Sequence, residues 1–194
     1  MNKGYRGVIF DLDGTLMTSA LDFSAIRSAI GCPAHWDILQ YIESIPCEVT
    51  QQQKRQQVIQ FELDDANESE VIDGVLSTLS LFNEQRIPMA IVTRNCRLAS
   101  NIKINRGSLP IDLVLSREDA PAKPDPSALL IVAQQWQLAP HQCLYVGDYL
   151  YDLQAAKNAN MASCLFAPHE VPTYHAEATW LIKDFKALSQ IVLV

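Results

Sequence analysis

No run of about 18 apolar residues occurs in this chain, so nothing in it reads as a membrane-spanning helix. The opening Met1-Asn2-Lys3-Gly4-Tyr5-Arg6 runs straight into a short apolar segment holding two aspartates. A secretory leader needs a longer apolar stretch and a small-residue cleavage site, so none is expected. Basic clusters are also missing: nothing longer than Lys54-Arg55 occurs, and the formal charge is −7. That excludes the basic face of a nucleic-acid binder and argues against long-range steering of a polyanion. The five cysteines are scattered, with no Cys-x-x-Cys, which fits reduced thiols in a cytoplasmic protein. No internal repeat is present.

What is there is ordinary globular composition, 48% apolar and 19% charged over 194 residues, enough for one α/β domain with a core and a small insertion. Val8-Ile9-Phe10, Pro88 to Thr93, Leu113-Val114-Leu115, Cys143 to Val146, Ser163 to Phe166 and Trp180 to Ile182 read as short buried strands. Helical spacing marks Leu21 to Ile30 (stopped by Gly31), Trp36 to Ile42, Val75 to Phe82, Leu98 to Ile104 and Leu150 to Ala159. Asp125-Pro126 reads as an N-cap with proline at the first helical position, opening a helix to about Trp136. Glu48 to Leu63 predicts a solvated, glutamine-rich helix, and 64–70 an acidic connector.

Strands alternate with helices from Asp73 onward, whereas 18–73 carries no strand signal. The expected architecture is therefore a Rossmann-like, mostly parallel sheet with helices on both faces. Residues 1–17 and 74–194 would form this core, and 18–73 a helical insertion after the first strand.

Ligands of open α/β sheets bind beyond the carboxyl ends of the strands. Four polar clusters follow predicted strands or sit just beyond them: Asp11-Leu12-Asp13-Gly14-Thr15, Thr93-Arg94-Asn95, Lys123-Pro124, and Gly147-Asp148 with Asp152. Their convergence on one sheet edge says more than any cluster alone. Two carboxylates held close repel unless a cation or a shared proton intervenes. Mg²⁺ takes oxygen ligands, and Asp11 and Asp148 would supply them from neighbouring strands. Asp11 can then serve as a nucleophile toward phosphorus, and Asp13 as the acid and base for the leaving oxygen and the water. Thr93 offers a hydroxyl to phosphate, and the main-chain N–H groups of Arg94 and Asn95 add donors. Lys123 is a charge to set against Asp11 and the phosphoryl group. Asp152, one helical turn after Asp148, can orient Lys123 or a metal-bound water.

These clusters, in this order and spacing, resemble the four motifs of the haloacid dehalogenase-like (HAD) hydrolases, in particular the phosphoglycolate-phosphatase-like branch. The resemblance covers essentially the whole chain. It implies a helical cap after the first strand and an aspartyl-phosphate intermediate. It also implies Mg²⁺ held by Asp11, the main-chain carbonyl of Asp13 and Asp148. Tyr149 departs from the small residue that many relatives carry, and Asn160 stands where a glycine often ends the helix. Dehalogenation needs no acid at Asp13. A phosphomutase shares the nucleophile and acid, and a non-catalytic phosphate-binding module or a receiver-like phosphoaspartate switch is the alternative of another class. The expected substrate is a small phosphorylated metabolite. Of the cations in the insertion, Arg27 borders an apolar helix face and is the candidate contact for the non-phosphate end.

Overall fold

The computed structural model describes residues 4–193. Six strands make one sheet: β1 (Gly7–Phe10), β2 (Met89–Val92), β3 (Leu113–Leu115), β4 (Cys143–Gly147), β5 (Ala162–Phe166) and β6 (Trp180–Ile182). Their spatial order is β3-β2-β1-β4-β5-β6, and every neighbouring pair is parallel. Register places Ile9 opposite Ala90 on one side and Tyr145 on the other. Buried on both faces, these strands are continuous apolar runs rather than alternating ones.

The pleat still sorts side chains. Val8, Phe10, Leu144 and Val146 pack on one face with α4 (Val75–Glu84) and α8 (Leu188–Val192). Ile9, Ala90, Val92 and Tyr145 pack on the other with α6 (Ser127–Gln135) and α7 (Leu150–Asn158). Each fully buried Phe or Leu in these layers stabilises the fold by about 1.5–3 kcal/mol relative to exposure. From β1 the chain builds outward through β2 to β3, then returns to the opposite side of β1 for β4, β5 and β6. The strand order therefore reverses between β1 and β4, and the crevice beyond their carboxyl ends is the natural ligand position.

Three helices lie between β1 and α4, as the absence of strand signal in 18–73 led us to expect: α1 (Phe23–Ile30), α2 (Ile38–Glu43) and α3 (Glu48–Glu68). Asp22 caps α1 and Asp37 caps α2, each accepting two main-chain N–H bonds. Gly31 ends α1 in the left-handed region at φ 66°. Ile26, Ile30, Ile38, Ile42 and Val58 form an apolar cluster of their own, apart from the two sheet layers. The segments entering and leaving the insertion pair directly. Thr18 N–H donates to the Glu70 carbonyl at 2.7 Å, and Glu70 N–H donates to the Thr18 hydroxyl at 2.9 Å.

Two local expectations need correction. The stretch 64–70 is not a connector up to Ser69, because α3 runs on to Glu68. No glycine or proline interrupts it, and its last turns are held from outside. Ala66 is buried against Cys96 and Ala99, at the start of α5 (Arg97–Gly107). Pro126 also lies one residue outside the first turn of α6, with Asp125 accepting from Ser127 N–H at 2.8 Å. Asn160, standing where a glycine often ends the helix, takes the left-handed conformation at φ 56°, which asparagine tolerates.

Candidate active site

β1 ends at Phe10, and Asp11 follows with its N–H donated to the Val146 carbonyl at 2.8 Å, an extension of the β1–β4 pairing. This fixes Asp11 over the crevice. The turn that follows needs Gly14: its φ is 74°, and a Cβ there would come 2.3 Å from Asp148 Oδ2. On β4, Gly147 has the same role toward Asp152, whose Cγ would meet a Cβ at 2.3 Å. These two glycines let three carboxylates crowd together. Asp11, Asp148 and Asp152 each place an oxygen within 4.8 Å of the others.

One lysine serves this group. Lys123 is buried, and its Nζ lies 2.6 Å from Asp11 Oδ1, 2.6 Å from Asp152 Oδ1 and 2.8 Å from the Tyr145 hydroxyl. Asp152 spends its other oxygen on the Tyr149 N–H at 2.9 Å. Both Asp152 oxygens are thus occupied in holding the lysine and the start of α7. The Asp148 carboxylate accepts no hydrogen bond from another side chain among the described residues, while its main-chain carbonyl accepts from the Tyr174 hydroxyl at 3.4 Å. Burial pushes Asp11 up to about 7 against the pull of Lys123, and burial with the charges of Asp11 and Asp152 pushes Asp148 up to about 8. Burial also draws the Lys123 ammonium down, but Asp11 and Asp152 outweigh it and hold it above the usual lysine range.

This donor set fits a hard divalent cation. The oxygens are closely spaced, among the described residues Lys123 is the one cation side chain set against three carboxylates, and Asp11 and Asp148 retain free lone pairs. Asp152 is the poorer ligand of the three because its oxygens are taken.

Asp13 is arranged differently. Its Oδ2 accepts from Asn95 Nδ2 at 2.6 Å, and its Oδ1 pairs with the ammonium of Lys103. Burial raises its carboxyl above the ordinary range, with Lys103 and Asn95 opposing. Thr93 is buried at the end of β2, its hydroxyl accepting from the Asn95 N–H at 3.1 Å. That N–H is therefore engaged locally and is not a ready phosphate donor. The Arg94 guanidinium is likewise committed, donating to the Lys123 carbonyl at 2.8 Å and to Asp37 Oδ2 at 2.6 Å, and lying over the Tyr151 ring. What Arg94 can still offer a phosphate is its main-chain N–H.

All eight residues singled out from the sequence, Asp11, Asp13, Arg27, Thr93, Arg94, Lys123, Asp148 and Asp152, line one cavity of about 420 Å³ between the sheet edge and the insertion. Arg27 reaches the carbonyls of Trp36 (3.1 Å) and Phe23 (3.4 Å), and its Nε is buried without a partner. Sequence reasoning missed Tyr145 and Lys103, and it gave Asn95 a role through its main-chain N–H rather than through the side chain that meets Asp13. Tyr145 is a polar atom hidden in an apolar strand. Lys103 carries no local signal, since its partners are 90 and 38 residues away.

A parallel sheet with clustered carboxylates, a threonine and a buried lysine at its switch point defines a Rossmann-like α/β protein whose acidic cluster could hold a metal ion. The haloacid dehalogenase-like hydrolase family model matches residues 8–166, and the chain belongs to that family. A haloacid dehalogenase-like hydrolase domain-containing protein of Arabidopsis thaliana is 31% identical over 82% of this chain and 70% of its own length. A phosphoglycolate phosphatase of Mannheimia succiniciproducens is 26% identical, covering 99% of this chain and all (100%) of the relative. The structure of a hydrolase from Pseudomonas syringae superposes with a TM-score of 0.80 at 18% identity, over 98% of this chain and 99% of that one.

Proposed function

We propose that this hydrolase is a Mg²⁺-dependent phosphatase acting on a small phosphate monoester through an aspartyl phosphate on Asp11. The observation that carries the reading is the position of Asp11. One oxygen is held by Lys123 at 2.6 Å while the carboxylate faces Asp148 across the switch point. A carboxylate so fixed loses little freedom on reaching an in-line geometry.

Asp11 and Asp148, with the main-chain carbonyl of Asp13, would hold the Mg²⁺. Once bound, the ion offsets charge between the nucleophile and the phosphoryl oxygens. An Asp11 oxygen attacks phosphorus and the bond to the leaving oxygen breaks, with Asp13 giving that oxygen its proton. Water then attacks the same phosphorus and yields a proton to Asp13. Inorganic phosphate leaves and the Asp11 carboxylate is restored. Thr93, the Arg94 N–H and Lys123 stabilise the equatorial oxygens. Asp152 acts by orienting Lys123. The inserted helices act as a cap over the cavity, and Arg27 meets the non-phosphate end of the substrate.

Phosphate release from p-nitrophenyl phosphate and a panel of small esters, with Mg²⁺ or EDTA, tests this for wild type and Asp11→Asn. Turnover that requires both the metal and Asp11 is expected. Transfer to a sugar phosphate without net release would replace the phosphatase by a mutase. Turnover that survives Asp11→Asn would defeat the mechanism.

A further inference from the structure

Lys103 is fully buried on α5, one of the least common places for an ammonium. Its charge is divided between Asp13, in the β1 turn, and Asp65, on α3 of the insertion, which lies 2.5 Å away. Asp65 does more than balance charge. Its Oδ1 accepts the Ala20 N–H at 2.6 Å and its Oδ2 accepts the Ser19 hydroxyl at 3.0 Å, so it also fastens the chain entering the insertion.

Packing alone does not call for a lysine here. The neighbouring contact between α3 and α5 is made by Ala66, Ala99 and Ile102, and a buried ion pair is often no more stable than an apolar replacement of similar volume. What an apolar residue cannot do is donate to a carboxylate. Asp13 has two oxygens, one on Lys103 and the other on Asn95, so its carboxyl plane cannot turn without breaking one of these bonds.

We propose that Lys103, pinned by Asp65, is a positioning residue that sets the orientation of Asp13, so that the inserted helices take part in placing the proton donor for the leaving group. The inference rests on the phosphatase reading of the site. Lys103 touches no reacting atom and acts only through Asp13. The chain Asp65–Lys103–Asp13 joins the fastening of the insertion to the group that handles the leaving oxygen. Displacement of α3 would loosen Asp13 in the same movement.

The test separates orientation of the acid from general stability through the leaving group. p-Nitrophenolate departs without much help from an acid, whereas an alkoxide needs its proton. Lys103→Met is compared with wild type on p-nitrophenyl phosphate and on an unactivated alkyl phosphate, with Mg²⁺ present. Since a placed general acid contributes about 10²–10⁴-fold, kcat on the alkyl ester is expected to fall at least about tenfold further than on the aryl ester, with little change in either KM. Asp65→Asn keeps an acceptor for the Ala20 N–H but puts an amide NH₂ where Oδ2 faces Lys103 and the Ser19 hydroxyl, and it is expected to show the same selective loss. It carries the test if Lys103→Met does not fold. Equal losses on both esters, or none, overturn the proposal and leave Lys103 a purely structural ion. A wild type that releases phosphate from neither ester defeats the phosphatase reading itself, which the variants' selectivity cannot do.

Discussion

The ammonium of Lys123 lies 2.6 Å from Asp11 Oδ1 although 112 residues separate them in the chain. The same nitrogen reaches Asp152 on α7, so three segments of the sheet edge meet at one buried charge. Removing that charge leaves Asp11 and Asp152 facing each other without a cation. Lys123→Met is therefore expected to lower kcat by about 10²–10³-fold, the usual loss for one donor at a developing anion. Breaking a buried pair from one side also destabilises by about 3–5 kcal/mol, which urea unfolding of the metal-free protein measures. A variant as stable as wild type would mean that the two carboxyls simply take up protons.

The carboxylates make a prediction about pH and metal together. Asp11 and Asp148 have folded-state values of about 7 and about 8, against 3.8 for the same groups in ordinary surroundings. Between these limits the folded protein holds more protons than the unfolded chain, so stability falls as pH rises through the window. In EDTA, the melting temperature is expected to decline from about pH 5.5 to about pH 8.5. A divalent cation competes with those protons, so the gain in melting temperature on adding Mg²⁺ should grow over the same range. A Mg²⁺ effect independent of pH, or absent, would remove Asp11 and Asp148 as joint ligands.

Arg94 follows β2 and Asp37 caps α2, yet they meet at 2.6 Å, with the guanidinium also on the Lys123 carbonyl. The pair links the inserted helices to the loop that carries Lys123. Both side chains are largely shielded, so the contact is worth more than a surface ion pair. A double-mutant cycle with Arg94→Ala and Asp37→Ala is expected to give a coupling of about 0.5–3 kcal/mol in unfolding free energy. Additive losses would show that each side chain acts alone, Asp37 as a helix cap and Arg94 through Tyr151.

The fold was legible because its signals are local. Val8-Ile9-Phe10 and Leu113-Val114-Leu115 are apolar enough to name as strands, and the polar residues after them mark the sheet edge. The core of the site was legible for the same reason, since Asp11, Thr93, Lys123 and Asp148 each follow a strand or lie just beyond one. What could not be read depends on distant partners. Nothing near Asp65 shows that α3 continues through it, because Lys103 and Ala99 of α5 hold that turn in place. The commitment of Arg94 to Asp37 rather than to a phosphate is equally invisible, as it requires knowing where α2 lies over β2.

Under the proposed function, Arg27 is the residue through which the insertion would select the substrate. Its two terminal nitrogens each donate once, to the carbonyls of Phe23 and Trp36, so each keeps a second N–H, and the buried Nε has no partner. No acid forms an ion pair with it among the described residues, unlike Arg94, so its positive charge stays available to an acceptor on the leaving group. A hydrogen bond to a charged group is worth about 1.5–3 kcal/mol, so Arg27→Ala should lower kcat/KM on the preferred ester by about 10- to 100-fold. p-Nitrophenyl phosphate, whose leaving group has no anionic end, should be affected far less. The comparison also controls for the carbonyl bonds lost with the guanidinium, since a loosened α1 would weaken turnover of both esters alike. Unchanged kinetics on the preferred ester would return Arg27 to a role in bracing α1 against Trp36.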